Sequence, residues 1–128
     1  RTLRSVCDSL CAASSSLPGY GGIIAMGDFN DTPDAAQFSL LDGALVNACY
    51  ELYRKGEGTI RYEGKWDLID MFWVSPAVAG DCRAEILQIP FLMTRERKHP
   101  GEKPLRTYSG PRYLGGVSDH CPIILKLR

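Results

Sequence analysis

The chain has 128 residues, 45% of them hydrophobic, and its fifteen basic and fifteen acidic side chains leave a formal net charge of +0. That length suits one domain around one core, and neutrality argues against a protein that coats nucleic acid non-specifically. No apolar stretch approaches bilayer length and no signal-peptide pattern is visible, so no transmembrane segment is expected and the compartment is left open.

Leu3, Val6, Cys7, Leu10 and Cys11 recur at helical spacing, which predicts a first helix ending in Ser14-Ser15-Ser16. Pro18-Gly19-Tyr20-Gly21-Gly22 then bounds an apolar run, Ile23-Ile24-Ala25-Met26, that reads as a buried strand. It leads into Gly27-Asp28-Phe29-Asn30-Asp31. Thr32 is expected to cap a second helix, with Pro33 at its first position, running to Leu41 and closed by Gly43. Residues 45–53 fit either a helix or an irregular connection. Residues 59–62, a turn at 63–65 and residues 66–75 read as a hairpin.

In the second arm of that hairpin apolar residues fill both alternation sets, Leu68, Phe72 and Val74 on one and Ile69, Met71 and Trp73 on the other. A strand covered on both faces follows. Asp70 lies within it and needs a donor partner, since an unpaired buried carboxylate would be costly. A further strand is expected at 84–89 and a last one at 123–127. The second of these follows Gly115-Gly116-Val117-Ser118-Asp119-His120-Cys121-Pro122, which places a histidine beside an acid.

The loop at 94–117 is too long to be mere connection. It holds Arg95, Arg97, Lys98, Lys103, Arg106 and Arg112 against only Glu96 and Glu102, and could steer a phosphorylated substrate toward His120. The plainer alternative is a solvated surface loop, with His99 simply exposed. The five cysteines have no paired-spacing framework. Cys7 and Cys11 are expected to pack as small apolar residues, and Cys49, Cys82 and Cys121 lack the spacing that a zinc site with His99 or His120 would call for. Trp66 and Trp73 read as core residues rather than base-stacking platforms.

Three segments in this order, Gly27 to Asn30, Ile69 to Phe72 and Ser118 to Pro122, resemble the Gly-Asp-x-Asn, Ile-Asp-x-(Ile/Phe) and Ser-Asp-His-x-Pro motifs of the endonuclease/exonuclease/phosphatase family. That family includes deoxyribonuclease I, exonuclease III, inositol-polyphosphate phosphatases and sphingomyelinases. The run from Arg106-Thr107-Tyr108 to Gly116 is similar to a bacterial branch. The resemblance implies an α/β fold, an α+β mixed sheet with helices on one face, forming the C-terminal half of a four-layered α/β sandwich of the deoxyribonuclease I-like type. Residues 1–128 are thus expected to be the C-terminal portion of one such domain, whose N-terminal half would bring a metal-binding Glu and pack on an apolar sheet face. Without that half, the exposed face would favour self-association.

The resemblance further implies a metal-dependent phosphoesterase. Asp28, Asn30, Asp70 and His120 would be catalytic, with Asp70 accepting from the His120 ring. Asp119 and Asp28 would hold Mg²⁺, or Mn²⁺ in its place. Asn30, Arg106 and Tyr108 would bind substrate, with loop packing an equal alternative for Arg106 and Tyr108. That substrate is a phosphate ester, whether nucleic acid, phosphorylated sugar, inositol or lipid head group. For Asp28 or Asp119 taken alone, a turn or cap role competes. For Asp70 the competitor is a carboxylate bonded to backbone amides. Two other functions compete: a catalytically silent half-domain acting as a folded or self-associating module, and a non-enzymatic phosphate-binding module. The Asp–His pair weakens the latter, because anion binding alone needs no such pair.

Overall fold

The computed structural model describes residues 2–14, 16, 19 and 21–128. The part of the Gly-rich stretch at Pro18 and Tyr20, and the end of the first helix at Ser15, lie outside the described residues.

Helix α1 (Leu3–Ser14) forms where the periodicity places it, but only Cys7 and Ser14 of it are buried. Val6 and Leu10 stay exposed at 36% and 50%, and Cys11 is exposed too, contrary to the expected apolar stripe. The helix touches the core along a narrow line through Cys7 and the partly buried Leu3. Arg4 ties it down by donating to the carbonyls of Leu40 and Asp42.

Strand β1 (Ile24–Asp28) is longer than the apolar run and is not buried as expected, with Met26 70% exposed. The second helix is a 3₁₀ segment, Ala36–Leu41, and Thr32 does not cap it. Instead Thr32 to Ala35 form a turn, with the Ala35 N–H on the Thr32 carbonyl. Proline at the second position of that turn sets its φ. Gly43, at φ 77, ends the segment as expected. The ambiguous stretch after it divides into β2 (Val46–Asn47) and α2 (Tyr50–Arg54).

Strands β3 (Ile60–Tyr62) and β4 (Lys65–Asp67) pair as a hairpin. Its two-residue turn is Glu63-Gly64, both at positive φ, the geometry that matches strand twist. The expected long second arm breaks at Leu68 and Ile69, and β5 (Asp70–Val74) begins anew. Residues Met71 to Val74 are all buried, so this strand is indeed covered on both faces. Helix α3 (Pro76–Ala79) leads to β6 (Cys82–Ile86), earlier than expected, which pairs with the final strand β11 (Ile123–Leu127).

The long basic loop is not irregular. It folds into two hairpins, β7 (Met93–Arg95) with β8 (Glu102–Pro104) and β9 (Tyr108–Ser109) with β10 (Arg112–Tyr113). All strand pairings among the described residues are antiparallel, and with the helices they make an α/β fold.

The central sheet runs β1-β5-β2. On one of its faces Trp73 meets Phe38 and Phe29, with ring centroids 5.2 and 6.4 Å away. Cys7, Leu41, Leu45, Cys49, Leu68 and Met71 complete this core, each large side chain contributing about 1.5–3 kcal/mol by burial. The other face pairs Ile24 with Val74 and Met26 with Phe72. Opposed residues share a face, so exposed Ile24, Met26 and Val46 extend an apolar stripe from the buried β5 side chains. Among the described residues no helix is long and apolar enough to cross a membrane.

Gly58 is required by contact rather than by φ. A Cβ there would lie 2.7 Å from the Asp67 backbone N and O. Gly58→Ala is expected to destabilise the chain by about 2–4 kcal/mol, whereas Gly80→Ala, whose Cβ meets nothing within 4 Å, should change stability by no more than about 0.5 kcal/mol. Urea denaturation of both variants measures the contrast. A second expectation concerns Asp34. The Thr32 hydroxyl donates to it at 2.6 Å, and this bond, with that of the Tyr53 hydroxyl, holds its carboxyl below the usual range. A lowered folded pKa means the contribution is present above the unfolded carboxyl range and is lost as pH falls through the folded value. In an NMR titration, Tyr53→Phe should move the Asp34 midpoint upward.

Candidate active site

Gly27, at φ 147, ends the regular part of β1, and Asp28 follows as its last residue. The next side chain, Phe29, turns into the aromatic core, and its N–H donates to the Ile69 carbonyl at 2.9 Å. Asn30 then adopts φ 55, a left-handed conformation that asparagine tolerates. Its N–H donates to Asp28 Oδ1 at 2.7 Å. This local loop fixes the Asp28 carboxylate at the strand end.

Asp70 sits directly opposite Asp28 in the antiparallel register. Like charges facing each other across a ladder repel. Asp70 finds its hydrogen-bond partner at the other end of the chain, where His120 Nδ1 lies 2.7 Å from Asp70 Oδ2. Both side chains are largely withdrawn from solvent, at 24% and 17% exposure. The expected contact between Asp70 and His120 is therefore present.

A residue that sequence reasoning missed sets this pair. Thr59 is fully buried. Its N–H donates to the Asp67 carbonyl, and its carbonyl accepts from the Cys121 N–H at 2.7 Å. Its Oγ1 lies 3.4 Å from the backbone nitrogens of both Ile69 and Asp70. Ile60 forms a bridge with His120. The start of β5 and the approach to β11 are thus fastened to one residue, by its side chain and its carbonyl. The signal was Gly58-Thr59 ahead of a strand, legible only once Gly58 is seen against the Asp67 backbone.

Asp28, Asp70 and His120 each present a ligand atom within 4.8 Å of the others. Asp119 stands outside that group, although the resemblance implied it as a metal ligand. Its Oδ2 is 3.2 Å from Arg106, while its Oδ1 lies 3.9 Å from His120 Nε2. Arg106 is therefore beside the site. Tyr108 shares a shallow cleft of about 280 Å³ with Arg106, Ser118 and Asp119, and its ring packs against Tyr113 at 5.4 Å. For Asn30 the placement is through its backbone.

The donor set is mostly carboxylate oxygen with one imidazole, which fits a hard divalent cation better than a thiophilic one. Two facing carboxylates with a single imidazole partner leave negative charge for such an ion to offset. Cysteine does not enter the group, and burial pushes the Cys49 and Cys121 thiols up, away from the thiolate that metal binding needs. Trp73 is core as expected, while Trp66 is half-buried with the Arg61 guanidinium 5.5 Å from its ring centre. His99 is not simply exposed, because it packs against the Glu63-Gly64 turn.

The model of the Endonuclease/Exonuclease/phosphatase family matches residues 1–128, the whole chain, and the chain belongs to that family. Its members are generally hydrolytic, act on phosphate esters and typically use a divalent metal. Among curated proteins the chain has no match.

With Asp70 as acceptor, Nδ1 of His120 should carry the proton and leave Nε2 as a base. Asp70→Asn lets an amide donate instead, so the opposite tautomer should become populated. Imidazole ¹⁵N shifts distinguish the two forms, and unchanged shifts would mean that Asp70 does not set the tautomer.

Proposed function

We propose that this chain carries the Asp/Asn and Asp–His part of a metal-dependent phosphoesterase site. The observation that carries the reading is the Asp28–Asp70 opposition with His120 seated on Asp70. A merely structural sheet has no reason to face two carboxylates at its open end, and a simple anion site would be repelled by them.

In this reading Asp28 and Asp119 would hold Mg²⁺, or Mn²⁺, with Asp119 joining from outside the Asp28–Asp70–His120 group. When bound, the ion offsets the charge that develops on the phosphoryl oxygens. The remaining work falls to side chains of the chain itself. Asp70 accepts the Nδ1–H of His120, fixing the ring so that Nε2 can take a proton or meet the phosphate. Asp28, held by the Asn30 N–H, orients the attacking water. The Asn30 amide donates to a phosphate oxygen, and Arg106 and Tyr108 touch the substrate beyond it. Arg106 also restrains Asp119, so that its carboxylate is placed before an ion arrives.

A second reading concerns this chain on its own. The donor set among the described residues is small for an ion that demands near-ideal octahedral oxygen coordination. The exposed Ile24, Met26 and Val46 stripe additionally favours self-association. We propose that the 128-residue chain turns over substrate negligibly by itself and becomes active within a protein that supplies a further carboxylate.

Hydrolysis of bis(p-nitrophenyl) phosphate with Mg²⁺ tests both readings. In the larger protein His120→Ala should lower kcat by at least about 10³-fold, and Asp70→Asn by about 10²–10⁴-fold. Activity that survives His120→Ala would overturn the phosphoesterase assignment. Strong, His120-dependent turnover by the isolated chain would overturn only the second reading.

A further inference from the structure

Beside the site lies a cavity of about 850 Å³, and Asp119 is part of its wall. Its lining carries seven cationic side chains against three carboxylates. Two of those carboxylates are already engaged, Glu96 by Arg61 at 3.0 Å and Asp119 by Arg106 at 3.2 Å. Five cations remain: Arg95, Arg97, Lys98, Lys103 and Arg112. Among the described residues none of the five has a carboxylate within 4 Å. Gathered in one concavity, they focus positive potential there and draw an anionic ligand to it.

The cavity is also held in shape. Arg61, only 9% exposed, forms its floor. It donates to the carbonyls of Pro100 and Glu102 at 2.7 Å each, pinning the β7–β8 hairpin to β3–β4. Gly101 approaches so closely that a Cβ would meet the guanidinium at 2.6 Å. At the far side, a Cβ on Gly116 would fall 1.7 Å from the Leu105 carbonyl oxygen. Cations on such braced hairpins lose little freedom when a ligand arrives, which favours binding.

We propose that this cavity binds a second phosphate group, so that the preferred substrate is a small molecule carrying at least two phosphates. The inference rests on the phosphoesterase reading, since one phosphate must sit at His120 while the other enters the cavity past Asp119. The volume suits a small molecule, within the roughly 300–1,000 Å³ of ligand pockets. The alternative is a nucleic-acid backbone, which is better served by an open stripe with stacking aromatics. Among the described residues lining this cavity, Tyr62 is the one Phe, Tyr or Trp, and His99 the one imidazole.

Isothermal titration calorimetry on the 128-residue chain tests the proposal with two pairs of probes, fructose 1,6-bisphosphate against fructose 6-phosphate and ADP against AMP. In at least one pair the extra phosphate should tighten Kd by roughly tenfold, as charge-assisted contacts allow. The double variant Lys103→Gln/Arg112→Gln should remove that advantage while leaving the monophosphate Kd within about twofold, as expected if those two side chains meet only the second phosphate. No advantage in either pair, or an advantage that persists in the variant, would overturn the proposal. So would a single-stranded 12-mer binding more tightly than either multiply phosphorylated probe. Hydrolysis of bis(p-nitrophenyl) phosphate by the larger protein keeps the two claims apart. Loss of the phosphate advantage with His120-dependent hydrolysis intact defeats the second site alone. Hydrolysis indifferent to His120 defeats the reading beneath it.

Discussion

The contact between Asp70 and His120 joins positions fifty residues apart, and it is made possible by the backbone joint at Gly58 and Thr59. Thr59 receives β5 on its side chain and the approach to β11 on its carbonyl. With both fastened to one residue, the carboxylate and the imidazole meet without long, floppy side chains to bridge a gap. Asp28 is added by sheet register alone, one rung across from Asp70. Three polar groups from distant parts of the sequence, Asp28, Asp70 and His120, are thereby brought together by sheet register and by Thr59.

Charge in this chain is arranged in two opposed zones. The sheet end concentrates carboxylates and the neighbouring hairpins concentrate cations, with Arg106 and Asp119 paired at the boundary. Arg61 and Glu96 lie beneath, nearly buried, and their Nε and Oε2 approach to 3.0 Å without the alignment of a hydrogen bond. Such a pair contributes little net stability once desolvation is counted, but removing either partner leaves a buried charge exposed to the full penalty. Its role is positional. The guanidinium satisfies carbonyls that the β7–β8 hairpin would otherwise leave without partners.

Much of this was legible in the sequence where local pattern and tertiary demand agreed. The double apolar alternation of β5 announced burial on both faces, and the acid within it announced a partner. The Glu63-Gly64 turn and the final strand were equally plain. Elsewhere local chemistry misled. Thr32-Pro33-Asp34 has the composition of a helix start, yet Thr32 spends its hydroxyl on Asp34 and the segment becomes a turn. The apolar face of α1 satisfied periodicity without finding a partner along most of its length. The basic loop hid two short hairpins, because strands of two or three residues carry too few positions for a period to show. Thr59 escaped notice since its local signal, a glycine ahead of a strand, acquires meaning only from the Asp67 backbone packed against it.

The separation between local and distant contacts has a kinetic side. The three hairpins at β3–β4, β7–β8 and β9–β10 close loops of only a few residues, and hairpins of this kind form in roughly 1–10 μs. The meeting of Asp70 with His120 must bring together chain ends of a fifty-residue loop, and ordering that loop is rewarded only when the central sheet is in place. The tight turns can form early, whereas the Asp70–His120 contact and the Arg61 bonds that brace the cationic hairpins, which span 39 and 41 residues, both wait on the docking of distant segments. The cation-lined cavity and the Asp70–His120 pair therefore share one late step, and neither is complete in a partly folded chain.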